Sequence, residues 1–488
     1  MNSKIQTAMK KYIYTIVAVA AMFVSCSQET EFNDTDNTDS KAITTIGAST
    51  GIPSRAVVSS EDNTKVYWEE GDQLGVFGTN SSSEAKNLAY TLVGSGSGTT
   101  SGTFKNASSD ITAISAIMYP YQENATCANN IITCEIPSVQ TATTGSFDKA
   151  AAIMYSIGDA TGVALNYAVN FLKVTISDSE PNVHSISISS TATVLSGKIE
   201  IASGSVTVVS DSLKSVVLTA GKGKVFATGD YYIAVKAGNI ENPTISYVYY
   251  NDDHTATEKT KAGSGTLSFA DGKNVKPVSV TDWTGATERK AIQLWTDGPY
   301  FAECNIGAGK PESSGTYFAW GETQPVSVYN LVFDWPTYEY SNEKGKLTKY
   351  CTNSDYGLNG FIDGKTTLEP CDDAAFVNWN GNWRMPTAAE FQELKDSCTW
   401  TWDSLWKGFK VTGNDERYTN NSIFLLAGGY YQLDLGLRSL YGLGYYWSSS
   451  RGGRFDTDAS AFNFTQGGSK DNSDQPRCYA LSVRAVCQ

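Results

Sequence analysis

The stretch Trp383-Arg384-Met385-Pro386-Thr387-Ala388-Ala389-Glu390-Phe391 carries the strongest local structure signal in the sequence. Pro386 ends the extended segment before it, because proline lacks the amide hydrogen that a strand needs. Thr387 can cap a helix, and Glu390, three residues later, completes a capping box. Apolar residues then recur at helical spacing, at Ala388, Phe391 and Leu394. The pattern predicts a buried helix of about three turns that runs towards Cys398 and is clasped by short, Trp-rich strands.

Composition and charge indicate an acidic protein with several β domains. The 488 residues are enough for about two to four domains. Hydrophobic residues make up 41% of the chain and charged residues only 18%, a mixture typical of exposed β domains rather than helical bundles. The net charge of −14 argues against a nucleic-acid partner, because phosphate binding needs a basic surface.

The amino terminus predicts export and a lipid anchor. Lysines precede an apolar run at residues 13–24, which is typical of a secretory signal peptide and too short for a stable transmembrane helix. The end of this run, residues 23–26, resembles a bacterial lipobox, so we expect a signal peptide over 1–25 and lipidation of Cys26. Ordinary cleavage with no role for Cys26 is the alternative. Residues 26–48 are acidic, which predicts a tether without a core at the cell outer membrane.

Short strand-like runs fill the middle of the chain. They are separated by clusters of Gly, Ser, Asn and Asp, and several alternate between apolar and polar residues, so one face of each strand is buried. This pattern predicts two stacked β-sandwiches at 49–157 and 158–283. A linker at 284–290 then leads into a last domain at 291–488.

The middle region resembles the fimbrillin family, the pilus subunits and anchors of Bacteroidetes. The motifs that carry the resemblance are Ser54-Arg55-Ala56, the block Trp68-Glu69-Glu70-Gly71-Asp72-Gln73-Leu74-Gly75-Val76-Phe77, and residues 165–176. The resemblance implies two transthyretin-like β-sandwiches stacked end to end. It also implies that a cut after Arg55 removes the first strand, so that another pilus subunit can add its own strand to the open edge. The alternative is that Arg55 is only a charge on a flexible approach.

The carboxyl-terminal region resembles the Fibrobacter succinogenes major paralogous domain. The matching blocks are Leu294-Trp295, Cys304-Asn305-Ile306-Gly307-Ala308, Tyr317-Phe318-Ala319-Trp320-Gly321-Glu322, residues 381–391, Gly428-Gly429-Tyr430, Tyr446-Trp447-Ser448-Ser449-Ser450 and Ser482-Val483-Arg484-Ala485-Val486. That family is similar in fold to C-type lectins and formylglycine-generating enzymes. The expected fold class is therefore mainly β, with two transthyretin-like β-sandwiches followed by an α+β, C-type-lectin-like domain.

The cysteines suggest disulfides suited to an oxidising compartment. In C-type-lectin-like folds a helix and the last strand often lie side by side, so the resemblance implies Cys398–Cys487 as one possible disulfide. Cys127 and Cys134 could close a small hairpin in the first sandwich. The alternative is that several of these cysteines are free buried thiols.

Catalysis is not expected. The chain has two histidines, and both lie before residue 290, which excludes Ser-His and Cys-His nucleophile systems from the last domain. The adjacent acidic pairs Asp372-Asp373 and Asp415-Glu416 occur in Gly/Asn-rich surroundings and are predicted to be solvated loops. The sequence therefore predicts no enzyme, no catalytic residue, no cofactor and no metal site.

Ligand recognition is the better expectation for the last domain. Aromatic rings stack on sugar faces or anchor protein interfaces, and they are dense between residues 400 and 447, a region that includes Trp406. Tyr441 and Tyr445 lie in a Gly-rich segment with Arg438 and Arg451 nearby, so these four are the predicted ligand-binding residues. Trp447, in contrast, is expected in the core.

These features together predict a surface-anchored, pilus-associated adhesin that presents a lectin-like domain at a tip or accessory position. The expected partners are other pilus subunits by strand addition, a glycan or host surface protein, and the outer membrane through a lipid. A stand-alone surface lipoprotein and a pilus anchor subunit are the alternatives.

Overall fold

The computed structural model describes residues 41–50, 67–94, 97–159, 161–269, 274–280, 282–324, 335–342, 345–432 and 435–488. Residues from Ala42 to Gln488 form one compact unit. The fold is mainly β, as predicted. Within the described ranges, no helix is both long and apolar enough to span a membrane. Cys26 and Arg55 lie outside the described residues.

Seven of the first ten strands form a closed barrel, in the order β1-β10-β9-β5-β2-β3-β4. β1 begins inside the segment predicted to be a tether, and it closes the ring by pairing parallel to β10 and antiparallel to β4. The structure therefore has a closed barrel where the sequence predicts the first β-sandwich. The strands are β1 (Thr45–Thr50), β2 (Gln73–Asn80), β3 (Ala85–Val93), β4 (Ser101–Lys105), β5 (Ile111–Tyr119), β6 (Thr126–Ala128), β7 (Ile131–Ile136), β8 (Val139–Thr141), β9 (Met154–Ile157) and β10 (Gly162–Tyr167).

The next strands form two layers that share one apolar core. A sheet of order β16-β11-β21 faces the strands β19-β18-β12-β15, and buried side chains from both layers meet between them. β13 pairs with β7, so β14, β13, β7 and β6 form one sheet. This sheet connects the second part of the chain to the first. The strands are β11 (Val169–Ile176), β12 (Val183–Ser190), β13 (Ser196–Ala202), β14 (Ser205–Leu213), β15 (Ser215–Thr219), β16 (Gly229–Lys236), β17 (Ile240–Glu241), β18 (Pro243–Tyr250), β19 (Thr255–Ala262), β20 (Thr266–Leu267) and β21 (Val275–Pro277).

The segment predicted as a linker is mostly a strand. β22 (Thr287–Gln293) pairs with β19 on one side and with β23 (Tyr300–Ala302) on the other. β23 in turn pairs with the last strand, β34 (Val486–Cys487). One sheet therefore runs without a break from the second part of the chain into the third, and residues 287–290 are part of that joint.

The carboxyl-terminal part contains the predicted helix. α1 (Ala374–Asn378) is short, and α2 (Ala388–Ser397) begins after Thr387 with the predicted capping box. Phe391 of α2 is buried and stacks on Phe462 with ring centroids 5.1 Å apart. The remaining strands are β24 (Tyr317–Phe318), β25 (Cys398–Asp403), β26 (Gly408–Gly413), β27 (Ser422–Leu426), β28 (Tyr430–Tyr431), β29 (Leu437–Arg438), β30 (Leu443–Arg451), β31 (Asp458–Thr465), β32 (Lys470–Pro476) and β33 (Leu481–Ser482).

Sheets of order β24-β33-β30-β31-β32 and β25-β26-β27 surround α2, as the Trp-rich sequence predicts. Trp383 and Trp447 are 1% and 0% exposed, so the prediction that Trp447 belongs to the core is confirmed. Short 3-10 helices lie at Lys149–Ala151, Leu358–Gly360 and Pro370–Asp372.

The predicted disulfides are not formed, because all four cysteines are free thiols. Cys127 pairs in register with Ile132, which leaves Cys134 in a diagonal position about 7 Å away, beyond ordinary disulfide reach. Cys398 and Cys487 are buried in two different apolar clusters. The alternative of free buried thiols therefore holds for Cys134, Cys398 and Cys487.

Candidate ligand-binding surface

Two neighbouring loops of the carboxyl-terminal part expose large apolar side chains. Leu405 and Trp406, in the turn between β25 and β26, are 79% and 46% exposed. Leu440 and Tyr441, in the turn before β30, are 41% and 53% exposed. We call these four residues the exposed patch. Exposed apolar side chains on neighbouring loops are typical of an interaction site, whereas single exposed ones are common on any protein.

A shared backbone partner holds the two loops side by side. The amide of Ala427 donates to the carbonyl of Lys407 at 2.8 Å, and the amide of Tyr441 donates to the carbonyl of Ala427 at 2.7 Å. In the first loop, the Asp403 carboxylate accepts the amides of Leu405 and Trp406 at 2.8 and 2.9 Å. The side chains of the exposed patch therefore project from a hydrogen-bonded frame.

The second loop keeps Tyr441 in a conformation that bulky residues rarely adopt. Its φ is 65°, and Ser439 is also left-handed, with a φ of 54°. Such backbone costs about 1–3 kcal/mol and persists only where neighbouring contacts fix it. Here the carbonyl of Ser439 accepts the amides of Gly442 and Leu443, both at 3.0 Å. The fold therefore keeps a strained backbone at a position that exposes a tyrosine ring.

A cation lies next to the first loop. The Lys310 ammonium is 5.7 Å from the centroid of the Trp406 ring, within range of a cation–π interaction. Arg438 is exposed on β29, directly before the turn that carries Tyr441. The exposed patch therefore combines apolar rings with positive charge at its margin, a composition found at protein and sugar interfaces.

The structure brings together only part of the predicted set of ligand-binding residues. Tyr445 is half-buried and meets the Tyr430 ring edge-on at 5.0 Å. Arg451 lies at the far end of β30, about 25 Å along the strand from Tyr441, and pairs with Asp456 at 2.7 Å. Tyr441 and Arg438 are close in the chain. Tyr445 packs against Tyr430, and Arg451 lies at the other end of β30.

Sequence reasoning missed Leu405, Leu440 and Lys310. Trp406 was only one of many aromatic residues in this region, and Trp400 and Trp402 on β25 pack into the core instead. The signal that separates them is local. Trp400 and Trp402 alternate with Thr residues as strand positions do, whereas Trp406 follows Asp403-Ser404, a pair typical of a turn.

The acidic pair Asp372-Asp373 was predicted to be solvated, and this is wrong, because both residues are 4% exposed. Asp373 caps α1 by accepting the amides of Ala375 and Phe376, and its other oxygen accepts the amide of Met385 at 2.8 Å. Burial raises the pKa of Asp373 to about 6. The carboxylate of Asp373 therefore links the start of α1 to Met385, in the segment before α2.

The carboxylate of Asp372 is also fully engaged in polar contacts. It accepts the hydroxyl of Tyr340 at 2.8 Å, bonds the hydroxyl of Tyr350, and pairs with Lys349 at 2.7 Å. Asp415, in contrast, is exposed and pairs with Arg417, so the solvated-loop prediction holds there. Asp372 and Asp373 are thus both engaged by hydrogen bonds in the core, and Asp415 is engaged by Arg417.

One group among the described residues has the composition of a metal site: Asp211, Glu369 and Cys371, whose ligand atoms lie within 4.8 Å of one another. The Lys349 ammonium already pairs with Asp211 at 3.3 Å and with Glu369 at 2.9 Å. Its positive charge occupies the position where a cation would compensate the carboxylates. We assign no metal to this group.

No protein-family model, curated protein or solved structure matches this chain. The two family resemblances noted from the sequence therefore stay predictions.

Proposed function

We propose that this chain is a fimbrillin-type surface lipoprotein that acts as an adhesin, at the tip of a pilus or as an accessory subunit. Its exposed patch would bind a glycan or a protein on the target surface. The observation that carries the proposal is the patch itself: exposed rings held by hydrogen-bonded, partly left-handed turns. A protein that needed no partner would gain stability from polar residues and relaxed backbone at these positions.

The first strand supports a role in polymerisation. β1 ends at Thr50, five residues before Arg55, so a cut after Arg55 would separate β1 from the rest of the barrel. β1 buries Ile46 and Ala48 and bonds to both β4 and β10. Its removal would expose two unpaired edges and an apolar slot, which a strand from another subunit could fill.

The same strand also favours a second candidate, a stand-alone surface lipoprotein or anchor. With β1 in place the barrel is closed, so each of its seven strands pairs with a neighbour on both sides. An uncut chain would then be complete as a monomer, attached through Cys26. The two candidates differ in whether Arg55 is cleaved, and they share the exposed patch.

Binding to glycan and matrix-protein arrays tests the adhesin proposal. Trp406→Ala removes one ring of the exposed patch, and Tyr441→Asn removes the other while keeping a residue that tolerates left-handed backbone. We expect each variant to lose about tenfold or more in affinity for the ligand that the full-length protein selects.

The matched control is Ile362→Ser. Ile362 is 53% exposed, as apolar as the patch residues, and lies outside both loops. If the two patch variants bind as well as the wild type, or if Ile362→Ser loses as much affinity, the exposed patch is not the adhesive surface.

A further inference from the structure

β14 is an outer strand with one free side. It ends the sheet β14-β13-β7-β6, and within the described ranges no other strand pairs with its outer side. The two-residue turn Ser203-Gly204 joins β13 to β14 and places Ala202 opposite Ser205. The pair beside such a turn is hydrogen-bonded, and bonded and non-bonded pairs alternate along an antiparallel ladder. The backbone amides and carbonyls of Val206 and Val208 therefore point away from β13.

The free stretch of β14 covers residues 205–208. Val209 is an extra residue in the pairing with β13, a β-bulge that bends the strand. Beyond the bulge, Asp211 pairs with Lys349 at 3.3 Å, and the short 3-10 helix Pro370–Asp372 packs near the strand. The carboxyl-terminal part of the protein therefore covers the far end of β14 and leaves the end next to the turn open.

The free stretch carries no side chain that would block another strand. Val206 and Val208 are half-buried against the barrel core, whereas Ser205 and Thr207 are exposed on the opposite face. The sequence from residue 205 to residue 210 contains no charge and no proline. Val209, directly after it, is 47% exposed. Such an uncharged, β-branched edge is suited to pairing with another strand.

Two other long outer strands are protected from such pairing. The outer side of β16 is covered by Gln140, whose side chain donates to the carbonyl of Ala234 at 2.7 Å and accepts its amide at 2.9 Å. β32 carries the charges of Lys470 and Asp471 and ends at Pro476. Cover, charge and proline are the usual means by which proteins keep strand edges from pairing. β14 has none of them at residues 205–208.

The sequence of the free stretch is complementary to itself. If two copies pair in antiparallel fashion about an axis through Thr207, Val206 of each copy lies opposite Val208 of the other. The outward backbone groups of both valines then find partners. On the exposed face the two Thr207 side chains meet, and Ser205 lies opposite Val209. β-Branched pairs and threonine pairs stabilise a ladder, and no like charges oppose each other.

We propose that β14 pairs with β14 of a second copy of this chain, in antiparallel fashion and centred on Thr207. The two four-stranded sheets then form one sheet of eight strands. The contact uses the same residues on both copies, so it closes at two and builds no filament. An interface this small gives a Kd of about 100 µM, and the chain stays monomeric at the lower concentrations of chromatography. The inference does not rest on the adhesin proposal, because neither the exposed patch nor Arg55 takes part.

Disulfide cross-linking of the full-length protein tests the register. The two Thr207 residues form a non-bonded pair whose Cα atoms lie about 4.5 Å apart, within disulfide reach. Thr207→Cys should therefore yield a covalent dimer after oxidation with diamide, above the background that the native thiols give in the wild type. Ser205→Cys is the matched control, because Ser205 is exposed on the same face. The two Ser205 residues lie about 14 Å apart in this register and should not cross-link.

Sedimentation velocity over a range of concentrations measures the dimer without a cross-link. Thr207→Lys brings two like charges face to face and should weaken dimerisation at least about fivefold. Val225→Lys adds the same charge at a position that is 42% exposed and lies in the loop before β16, so it should dimerise as the wild type does.

Three results would overturn the inference. The first is a Thr207→Cys variant that gives no dimer above background. The second is cross-linking of Ser205→Cys to the same extent, which would indicate random collision or another register. The third is equal dimerisation of Thr207→Lys and Val225→Lys, which would place any self-association on a different surface.

Discussion

The indole nitrogen of Trp383 donates a hydrogen bond of 2.8 Å to the carboxylate of Glu258, which is 1% exposed. Trp383 opens the stretch that leads into α2, whereas Glu258 lies on β19 in the preceding part of the chain. The same carboxylate accepts a hydrogen bond of 3.0 Å from the side-chain amide of Asn382 and pairs with Arg289 on β22. Arg289 also lies over the Trp379 ring, 4.0 Å from its centroid. One buried carboxylate thus joins two parts of the protein.

Replacing Glu258 with Gln should lower the free energy of unfolding by about 3 kcal/mol. The change leaves Arg289 without its counter-ion and replaces one acceptor oxygen with an NH2 donor, which faces the donor groups of Trp383 or Asn382. A broken buried ion pair costs about this much. Urea denaturation measures the loss. Glu288→Gln is the control, because Glu288 is exposed on β22 and should change stability by less than about 0.5 kcal/mol. Equal midpoints for the two variants would contradict this account of the joint.

The joint also predicts that residues 291–488 are less stable alone than in the full chain. Their removal from the protein separates Trp383 and Asn382 from Glu258 and exposes the edge of β22 residues 291–292 that pairs with β19. We expect a lower melting temperature and a greater tendency to aggregate for the fragment, because unpaired edges attract other strands. Calorimetry of the fragment beside the full chain checks this, and equal melting temperatures would show that the domain is independent.

The ion pair between Arg384 and Glu390 should make stability depend on acid pH. The bond from Arg384 Nη1 to Glu390 Oε2 is 2.8 Å. Burial alone would raise the pKa of Glu390, but the hydrogen bonds and charge of Arg384 outweigh it and hold the pKa below the ordinary 4.5. A depressed carboxyl pKa gives stability that is present above the ordinary pKa and is lost as the pH falls through the folded one.

Glu390→Gln should therefore lower the free energy of unfolding by about 2 kcal/mol at pH 7 and by progressively less below pH 4.5. Taking the difference between variant and wild type at each pH removes the contribution of other groups, including Asp373 near Arg384. Asp396→Asn, an exposed change on the same helix, should show no such trend. A difference that stays constant from pH 7 to pH 3 would show that the ion pair contributes nothing.

Local sequence signals predicted α2, whereas contacts between residues far apart in the chain could not be predicted from the sequence. Thr387 and Glu390 are three residues apart, so their capping box could be read from the sequence. Glu258 and Trp383 are 125 residues apart, and no local pattern connects them. Asp373 precedes an apolar run, a position typical of a helix cap, but its Gly/Asn-rich surroundings favour a solvated loop, and the two local signals conflict.

The exposed patch shows the same limit. Tyr441 was predicted to be a surface residue, and its neighbours Arg438 and Leu440 follow from chain proximity. Trp406 joins it only because Lys407 and Tyr441 both bond to Ala427. Such a meeting of two turns depends on the register between β26 and β27, which residue types alone do not determine.

Lipidation of Cys26 should decide where the protein resides. Cys26→Ala should abolish labelling with a lipid precursor and move the protein from the membrane fraction to the soluble fraction, because the thiol that receives the lipid is absent. Fractionation and mass analysis of the amino-terminal peptide measure both effects. Ser25→Ala is a suitable control, since it keeps a small residue before the cysteine. Membrane association that survives Cys26→Ala would exclude the lipid as the anchor.

Cleavage after Arg55 should separate the pilus candidates from the stand-alone candidate. Mild trypsin should cut at Arg55 while the rest of the protein stays folded. Once β1 dissociates, the edges of β4 and β10 lose their partners and the slot filled by Ile46 and Ala48 opens. The cut protein should then oligomerise, because each open barrel offers an edge to another strand.

Light scattering after size-exclusion chromatography measures the outcome, before and after trypsin. Arg55→Ala removes the cleavage site and should stay monomeric under the same treatment, which controls for cuts elsewhere. Addition of a synthetic peptide with the β1 sequence, Thr45-Ile46-Gly47-Ala48-Ser49-Thr50, should suppress oligomerisation of the cut wild type by refilling the slot. A cut product that stays monomeric and melts at the same temperature as the intact chain would instead favour a stand-alone lipoprotein, because β1 would then have stayed in the barrel after the cut.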